Sequence, residues 1–176
     1  KAFFKVLKKY PNYTLNLYGK AKNYNQEIRY KKMISDLKIE KNVIMHSYKL
    51  RDEMTEILRK ADIFVFTRPS SMQATFGFST KLGEYLAAGK PVLATRVGEI
   101  EIYLKDRINA FICDPNVESI ANKLSEIIED SFFASKVAEE GRLCAIENFN
   151  NKTETKKAIA HLQEIYNETC RKRPLL

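Results

Sequence analysis

The chain has 176 residues, of which 44% are hydrophobic, and it carries 30 lysines and arginines against 22 acidic residues. This length and composition suit one globular domain with a real core and argue against disorder. No run approaches the roughly 18 apolar residues of a membrane span and no signal-peptide pattern opens the chain, so we expect a soluble, cytoplasmic protein. The net charge of +8 favours an anionic partner such as a nucleotide, a nucleic acid or a membrane surface.

The three cysteines, Cys113, Cys144 and Cys170, lie far apart in the sequence and show no paired spacing. This pattern suits a reducing compartment and argues against a disulfide framework and against a zinc site. The first residue is Lys1 rather than methionine, so we expect a processed chain or a fragment of a longer one.

Apolar periodicity and turn residues predict helices and strands in alternation. In chain order the pattern predicts a helix at 1–9, a strand at 14–18, a helix at 24–37, a strand at 42–47, a helix at 51–60 and a strand at 63–66. A long loop at 67–78 is followed by a helix at 80–88, strands at 91–95 and 110–113, and helices at 117–129, 132–148 and 152–169. Short apolar strands between amphipathic helices are typical of a parallel sheet covered on both faces. We therefore predict a doubly wound, Rossmann-like α/β domain over 1–176.

In such a sheet, ligands bind beyond the carboxyl ends of the strands. The loop at 67–78 is long and polar for a strand-to-helix connection, and loops of that kind usually bind something. It leads to Ser79 and Thr80, either of which can cap the next helix. Free N–H groups and the positive end of the helix dipole would then face the crevice, which favours a phosphate.

Two charged residues of this helix suit a nucleotide ligand. Lys81 lies in the first turn, where it opposes the helix dipole unless an anion is bound nearby. Glu84 shares a face with Thr80, and its two carboxylate oxygens suit a pair of sugar hydroxyls. Each residue also has a purely structural explanation, since a lone helical glutamate usually faces solvent and the two side chains could form a surface ion pair.

The run STKLGEYLAAGKPVLATRVGE, which begins at Ser79, resembles the donor-binding motif of family 4 and related retaining glycosyltransferases of the GT-B type. Further agreement comes from Leu-Tyr-Gly ending at Gly19, from the run at 61–65 leading to Pro69-Ser70, and from the run at 109–111. The resemblance therefore covers nearly the whole chain. It implies one half of a GT-B fold, acting in surface polysaccharide synthesis, that binds a UDP- or GDP-sugar and helps to move a hexose to a glycan or lipid-linked acceptor. It implies no metal and no other cofactor.

The resemblance also implies roles for individual residues. Glu84 would hold the ribose, Lys81 would contact a phosphate, and the loops at Gly19-Lys20 and Ser47-Tyr48 would border the diphosphate and the base. The predicted donor-binding residues are Glu84, Lys81, Thr80, Ser79, Phe78, Gly77, Gly19, Lys20, Ser47, Tyr48, Arg68 and Ser70. No catalytic residue is assigned.

The sequence departs from the family pattern at several places. Phe76 stands where many members have a first glutamate that contacts the transferred sugar, and Arg107 stands where Asp-Gly is usual. The strand and basic pair that open the family's donor domain, and the acceptor domain before them, have no counterpart here. We therefore expect a fragment that does not transfer sugar alone and whose helix at 152–169 would pack on the absent domain. The resemblance also allows peripheral contact with the inner face of the cell membrane.

Three alternatives remain at this point. The first is a nucleotide-sugar epimerase of the same fold, for which the chain offers few acid and base carboxylates in the crevice. The second is a non-catalytic polyanion-binding domain, prompted by the charge of +8. A nucleic acid is not expected as a partner, because no nucleic-acid module and no basic stripe interleaved with aromatic residues is present. The third is a structural domain in which the motif is vestigial.

Overall fold

A computed structural model describes residues 1–21, 23–77 and 79–171, with side chains up to residue 169. The elements in chain order are α1 (Ala2–Leu7), β1 (Leu15–Tyr18), α2 (Tyr24–Asp36), β2 (Val43–His46), α3 (Arg51–Lys60), β3 (Phe64–Phe66), α4 (Met72–Thr75), α5 (Thr80–Ala87), β4 (Val92–Thr95), α6 (Ile100–Tyr103), β5 (Phe111–Cys113), α7 (Val117–Glu129), α8 (Ser131–Asn148) and α9 (Asn151–Arg171). Every predicted helix and strand is confirmed to within about two residues, the usual uncertainty of helix ends. The short helices α4 and α6 were not predicted.

All strand pairs are parallel, so the predicted α/β class with parallel strands flanked by helices is confirmed. The strands form two sheets, one of β1 and β2 and one in the order β3-β4-β5. Among the described residues, β1 pairs only with β2 and β3 only with β4, so each keeps one open edge. Parallel pairing brings the carboxyl ends of the strands in each sheet to one edge, which is where the predicted site residues follow.

The core lies on both faces of the three-stranded sheet. Every residue of β4 is buried, as expected for a parallel strand covered on two sides. One face packs against α5 and α8, and the other packs against α7 and the start of α8. Helix α1 joins this sheet to the other one, because Val6 belongs to the core under α7 while Leu7 packs with Val43 and Ile39.

Helix α5 is fixed to the core along one side. Leu82 and Leu86 are each about 1% exposed, and the ring of Tyr85 stacks on Phe64 with 4.5 Å between ring centroids. Burial, and then the nearby carboxylate of Glu84, raises the pKa of Tyr85. Because these residues hold one side of α5 against the core, the residues on its opposite side face solvent.

Helix α9 contributes little to this core. All its side chains from 151 to 169 are exposed, including an apolar stripe of Ala158, Ile159, Leu162, Ile165 and Tyr166. The stripe is thus left open rather than packed against the rest of the described chain. In the part of the chain that the structure describes, no helix has the length and hydropathy needed to cross a bilayer.

Candidate functional site

The loops that follow the strands carry the predicted site residues. Gly19 and Lys20 follow β1, while Ser47 and Tyr48 follow the neighbouring strand β2, and all four are exposed. The two strand ends are joined by a hydrogen bond from the Gly19 N–H to the His46 carbonyl, with an N–O distance of 3.3 Å. The structure therefore places these four predicted residues side by side at one edge of the two-stranded sheet.

His46 was not singled out from the sequence, although it is the last residue of β2. Its ring stacks on Tyr18 with 4.3 Å between centroids and 6° between planes, and its Nε2 lies 2.8 Å from Asn16 Oδ1. The register pairs Tyr18 directly with His46, so this contact depends on strand pairing that the sequence does not reveal. The three side chains thus contact one another at the strand ends that lead into Gly19 and Ser47.

The second group of predicted residues lies on the connection between β3 and α5. This connection contains α4, whose N-cap Ser71 accepts a hydrogen bond from the Ala74 N–H at 3.2 Å. Ser70 is exposed, as are Met72 and Phe76 on the surface of the short helix, with 79% and 82% of their areas accessible. Phe76 thus projects into solvent and does not fill a pocket in the described chain.

Arg68 holds this connection together. Its Nη1 donates to the Gly77 carbonyl at 2.7 Å and its Nη2 to the Gln73 carbonyl at 3.1 Å. Its own N–H donates to Thr95 Oγ1 at 2.8 Å, and the same hydroxyl donates to the Arg68 carbonyl at 2.9 Å. The side chain that was predicted to contact the donor is therefore engaged by main-chain oxygens of its own loop.

The N-terminus of α5 is open. Ser79, one of the two residues predicted as possible caps, is the N-cap residue, but its side chain makes no capping hydrogen bond. Thr80, Lys81 and Glu84 are exposed on the side of α5 opposite its buried leucines. Within the described residues neither Lys81 nor Glu84 has an ion-pair partner, so the alternative of a surface pair between them is not formed. Phe78 lies outside the described residues.

A groove of about 440 Å³ runs between α3 and α5, and Glu84 is one of the residues that line it. Its floor is mostly apolar, formed by Met54 and Leu58 of α3 together with alanines at the end of α5. Arg51 and Arg59 line the α3 side, where Arg59 donates to Glu56 at 2.7 Å. The groove therefore brings apolar side chains, one carboxylate and two arginines together along an open surface.

Sequence reasoning missed the α3 side of this groove. Arg51 is the first residue of α3, where a cation opposes the helix dipole just as Lys81 does on α5. In the described part of the chain Arg51 has no ion-pair partner. The same signal that drew attention to Lys81 would have found Arg51 as well.

The described residues contain no cluster of three or more histidine, cysteine or acidic side chains arranged to hold a metal ion. Cys113 lies buried in β5, and burial raises the pKa of its thiol to about 11.

Solved structures of other proteins have a fold similar to that of this chain. The C-terminal domain of a group 1 glycosyl transferase, LpcC, from Francisella tularensis superposes with a TM-score of 0.73, at 23% identity, over 85% of this chain and 78% of that one. Anabaena Alr3699/HepE in complex with UDP-glucose gives a TM-score of 0.81 at 20% identity over 93% of this chain and 44% of that one. These likenesses define the class of protein: the fold is that of a GT-B glycosyltransferase domain.

The sequence profile described as "Glycosyl transferases group 1" matches residues 1–143, and the chain belongs to that family. A glycosyltransferase of uncharacterised specificity from Methanocaldococcus jannaschii, MJ1178, is 27% identical over 118 residues, which are 66% of this chain and 31% of that protein. The chain thus spans less than half the length of the M. jannaschii and Anabaena proteins. This membership confirms the predicted resemblance at the level of the group 1 glycosyl transferase family.

Proposed function

We propose that the chain is the donor-binding domain of a retaining, family 4-like glycosyltransferase, which moves a hexose from a UDP- or GDP-sugar to a glycan or lipid-linked acceptor. The observation that carries this proposal is the position of Glu84, an exposed carboxylate without an ion-pair partner in the described chain, which lines the groove and lies about one turn along α5 from its open N-terminus. The structural neighbour from Anabaena, solved with UDP-glucose, supports a nucleotide sugar as the ligand.

Each part of the nucleotide has a candidate partner. The carboxylate of Glu84 accepts hydrogen bonds from the two ribose hydroxyls, and such bonds to a charged group contribute about 1.5–3 kcal/mol each when water is excluded. The free N–H groups at the start of α5 and the ammonium of Lys81 bind the diphosphate. The apolar floor around Met54 and Leu58 accommodates the flat faces of the base, with Arg51 at the side.

The same groups serve the reaction. When the bond from the sugar to the diphosphate breaks, negative charge grows on the leaving phosphate oxygens. N–H groups that already point at those oxygens stabilise this charge without having to reorganise. We therefore propose donor cleavage without a metal ion, with Lys81 and the α5 N-terminus stabilising the departing diphosphate.

Acceptor binding belongs to a further domain in this proposal. The chain covers only 44% of the Anabaena protein, which leaves more than half of that molecule without a counterpart here. We propose that such a domain binds the acceptor for surface polysaccharide synthesis at the cytoplasmic face of the membrane. We expect no sugar transfer by the 176-residue chain alone.

The test is a thermal-shift titration with UDP, GDP, ADP and their sugar conjugates. A ligand at about a hundred times its dissociation constant adds about 2.7 kcal/mol of stability, which for a domain of this size raises the melting temperature by about 5–10 °C. Glu84→Ala should remove most of that shift. Glu140→Ala, at an exposed glutamate of α8, is the matched control and should keep it. Absence of a shift with every nucleotide would refute the proposal, whereas a shift unchanged in Glu84→Ala would assign the ribose to another residue.

A further inference from the structure

The connection between β3 and α5 is fastened to the end of β4 by one buried hydroxyl. Thr95 is the last residue of β4 and is 0% exposed. Its Oγ1 both accepts from the Arg68 N–H and donates to the Arg68 carbonyl, at 2.8 and 2.9 Å. A buried hydroxyl that completes two hydrogen bonds is costly to remove, because both main-chain groups then lose their partner. The main chain at Arg68 therefore has one favoured position relative to β4.

From that fixed point the side chain of Arg68 reaches across the loop to its far end. The guanidinium binds the carbonyl of Gln73 in α4 and the carbonyl of Gly77, nine residues further along the chain. Its planar fork can bind two separate acceptors at once, and a lysine ammonium on a flexible stem does not reproduce that geometry. The start of the loop is thus bonded to Thr95 of β4, and its far end is bonded to the side chain of Arg68.

The far end of the loop is next to the proposed diphosphate site. Gly77 lies two residues before Ser79, the N-cap of α5. Because the Gly77 carbonyl is bound by a cation, its negative oxygen is directed at Arg68 and is not free to oppose an anionic ligand at the helix start. Small displacements of groups that bind a reacting phosphate have large effects on binding and rate.

We propose that Arg68 and Thr95 are positioning residues of the donor site, which set the N-terminus of α5 for the diphosphate without touching it. This inference rests on the proposed function. It gives Arg68 a role different from the direct donor contact predicted from the sequence. It also adds Thr95, which cannot reach a ligand because it has no exposed surface.

The experiment compares Thr95→Val with Thr95→Ser by calorimetric titration of the 176-residue chain with UDP and with uridine. Valine keeps the shape of threonine and removes the hydroxyl, whereas serine keeps the hydroxyl. We expect Thr95→Val to weaken UDP binding on the order of tenfold and to leave uridine binding unchanged, because only the diphosphate depends on the loop. Thr95→Ser should restore the UDP affinity. Arg68→Lys should behave like Thr95→Val, with Arg142→Lys on α8 as the control for an arginine exchange.

Hydrogen exchange of the ligand-free protein separates positioning from contact. The amides of Ala74 to Phe76, which bond within α4, should exchange faster in Thr95→Val and in Arg68→Lys than in the wild type. Melting temperatures show whether each variant is folded at the temperature of titration.

Three results would overturn the inference while the proposed function stands. These are an unchanged UDP affinity in folded Thr95→Val, an equal loss of UDP and uridine binding, and weaker UDP binding in Arg68→Lys with unchanged exchange in α4, which would indicate direct contact. A wild-type chain that binds neither UDP nor GDP would instead refute the proposed function, and this inference with it.

Discussion

Replacing Gly98 with alanine should lower the free energy of unfolding by about 2–5 kcal/mol. Gly98 follows β4 with a φ of 67°, in the left-handed region that alanine adopts only at a cost. A Cβ atom at this position would lie 2.4 Å from the carbonyl oxygen of Ala74 and 3.1 Å from that of Thr75. Both oxygens belong to the main chain of α4, so no side-chain rotation can relieve the contact.

The expected magnitude has two parts. The left-handed conformation costs alanine about 1–2 kcal/mol. Moving α4 away from the new methyl group costs about 1–3 kcal/mol more, as in other overpacked sites. For a domain of this size the sum corresponds to a fall in melting temperature of about 4–20 °C.

Gly89→Ala is the matched control, because the two glycines share a backbone conformation and differ in their neighbours. Gly89 has a φ of 66°, and within the described residues its added Cβ would meet only Arg142 Cδ at 3.3 Å, part of a flexible side chain. It should therefore cost only the conformational part, about 1–2 kcal/mol. Urea unfolding followed by circular dichroism measures both variants, and equal losses in the two would refute the close approach of α4 to Gly98.

Three further outcomes are expected. Lys123→Met should lower the free energy of unfolding, measured in urea, by about 2 kcal/mol, because the Asp106 carboxylate loses its ammonium partner at 2.9 Å. This loss is smaller than the roughly 3–5 kcal/mol for breaking a fully buried pair, since Asp106 is one-third exposed. A stability equal to that of the wild type would count against this pair. Cys113 should resist alkylation at pH 8 in the native protein and react after unfolding, as mapped by mass spectrometry, because burial holds its thiol pKa near 11. Rapid native labelling would contradict its burial. Hydrogen bonds from Lys9 and then Tyr10 lower the pKa of Glu129, so its contribution is present at neutral pH and is lost as pH falls through that lowered pKa. Glu129→Gln should accordingly be less stable than the wild type at pH 7 and equal to it below that pKa, and a constant difference in urea midpoint at all pH values would contradict this.

The elements of the fold were predictable because their signals are local. The apolar spacing of α5 and the four buried residues of β4 are visible within short windows of sequence. Helices α4 and α6 have only four residues each, which is too short for a helical period to be recognised. The division of the strands into two sheets depends on pairing between distant segments, which no local pattern encodes.

At Arg107, tertiary contacts stabilise a positive φ that would normally favour glycine. It has a φ of 62°, which explains why glycine is usual at this place in the family. The strain is offset by an ion pair with Glu126 and by the ring of Phe133, whose centroid lies 4.8 Å from the guanidinium carbon. Neither partner is near Arg107 in sequence, so the departure from the family pattern had no local explanation.

Part of the candidate site was predictable because its sequence signals are local. Exposure of Lys81 and Glu84 follows from the helical period of α5, and the structure has both in solvent. The bond between Thr95 and Arg68 joins residues 27 positions apart, and it depends on the pairing of β3 with β4. The α3 side of the groove likewise requires two helices to be brought together, so it could be seen only in the fold.

The most direct test of the account is the ribose contact of Glu84, measured as the affinity of UDP against that of its 2′,3′-dideoxy analogue. The wild type should bind UDP more tightly by a factor of ten or more, since each hydrogen bond to the carboxylate contributes about 1.5–3 kcal/mol. Glu84→Ala should bind the two ligands equally, and Glu140→Ala should discriminate like the wild type. A wild-type chain that binds both ligands equally well, or a Glu84→Ala variant that keeps the full preference for UDP, would contradict the central claim.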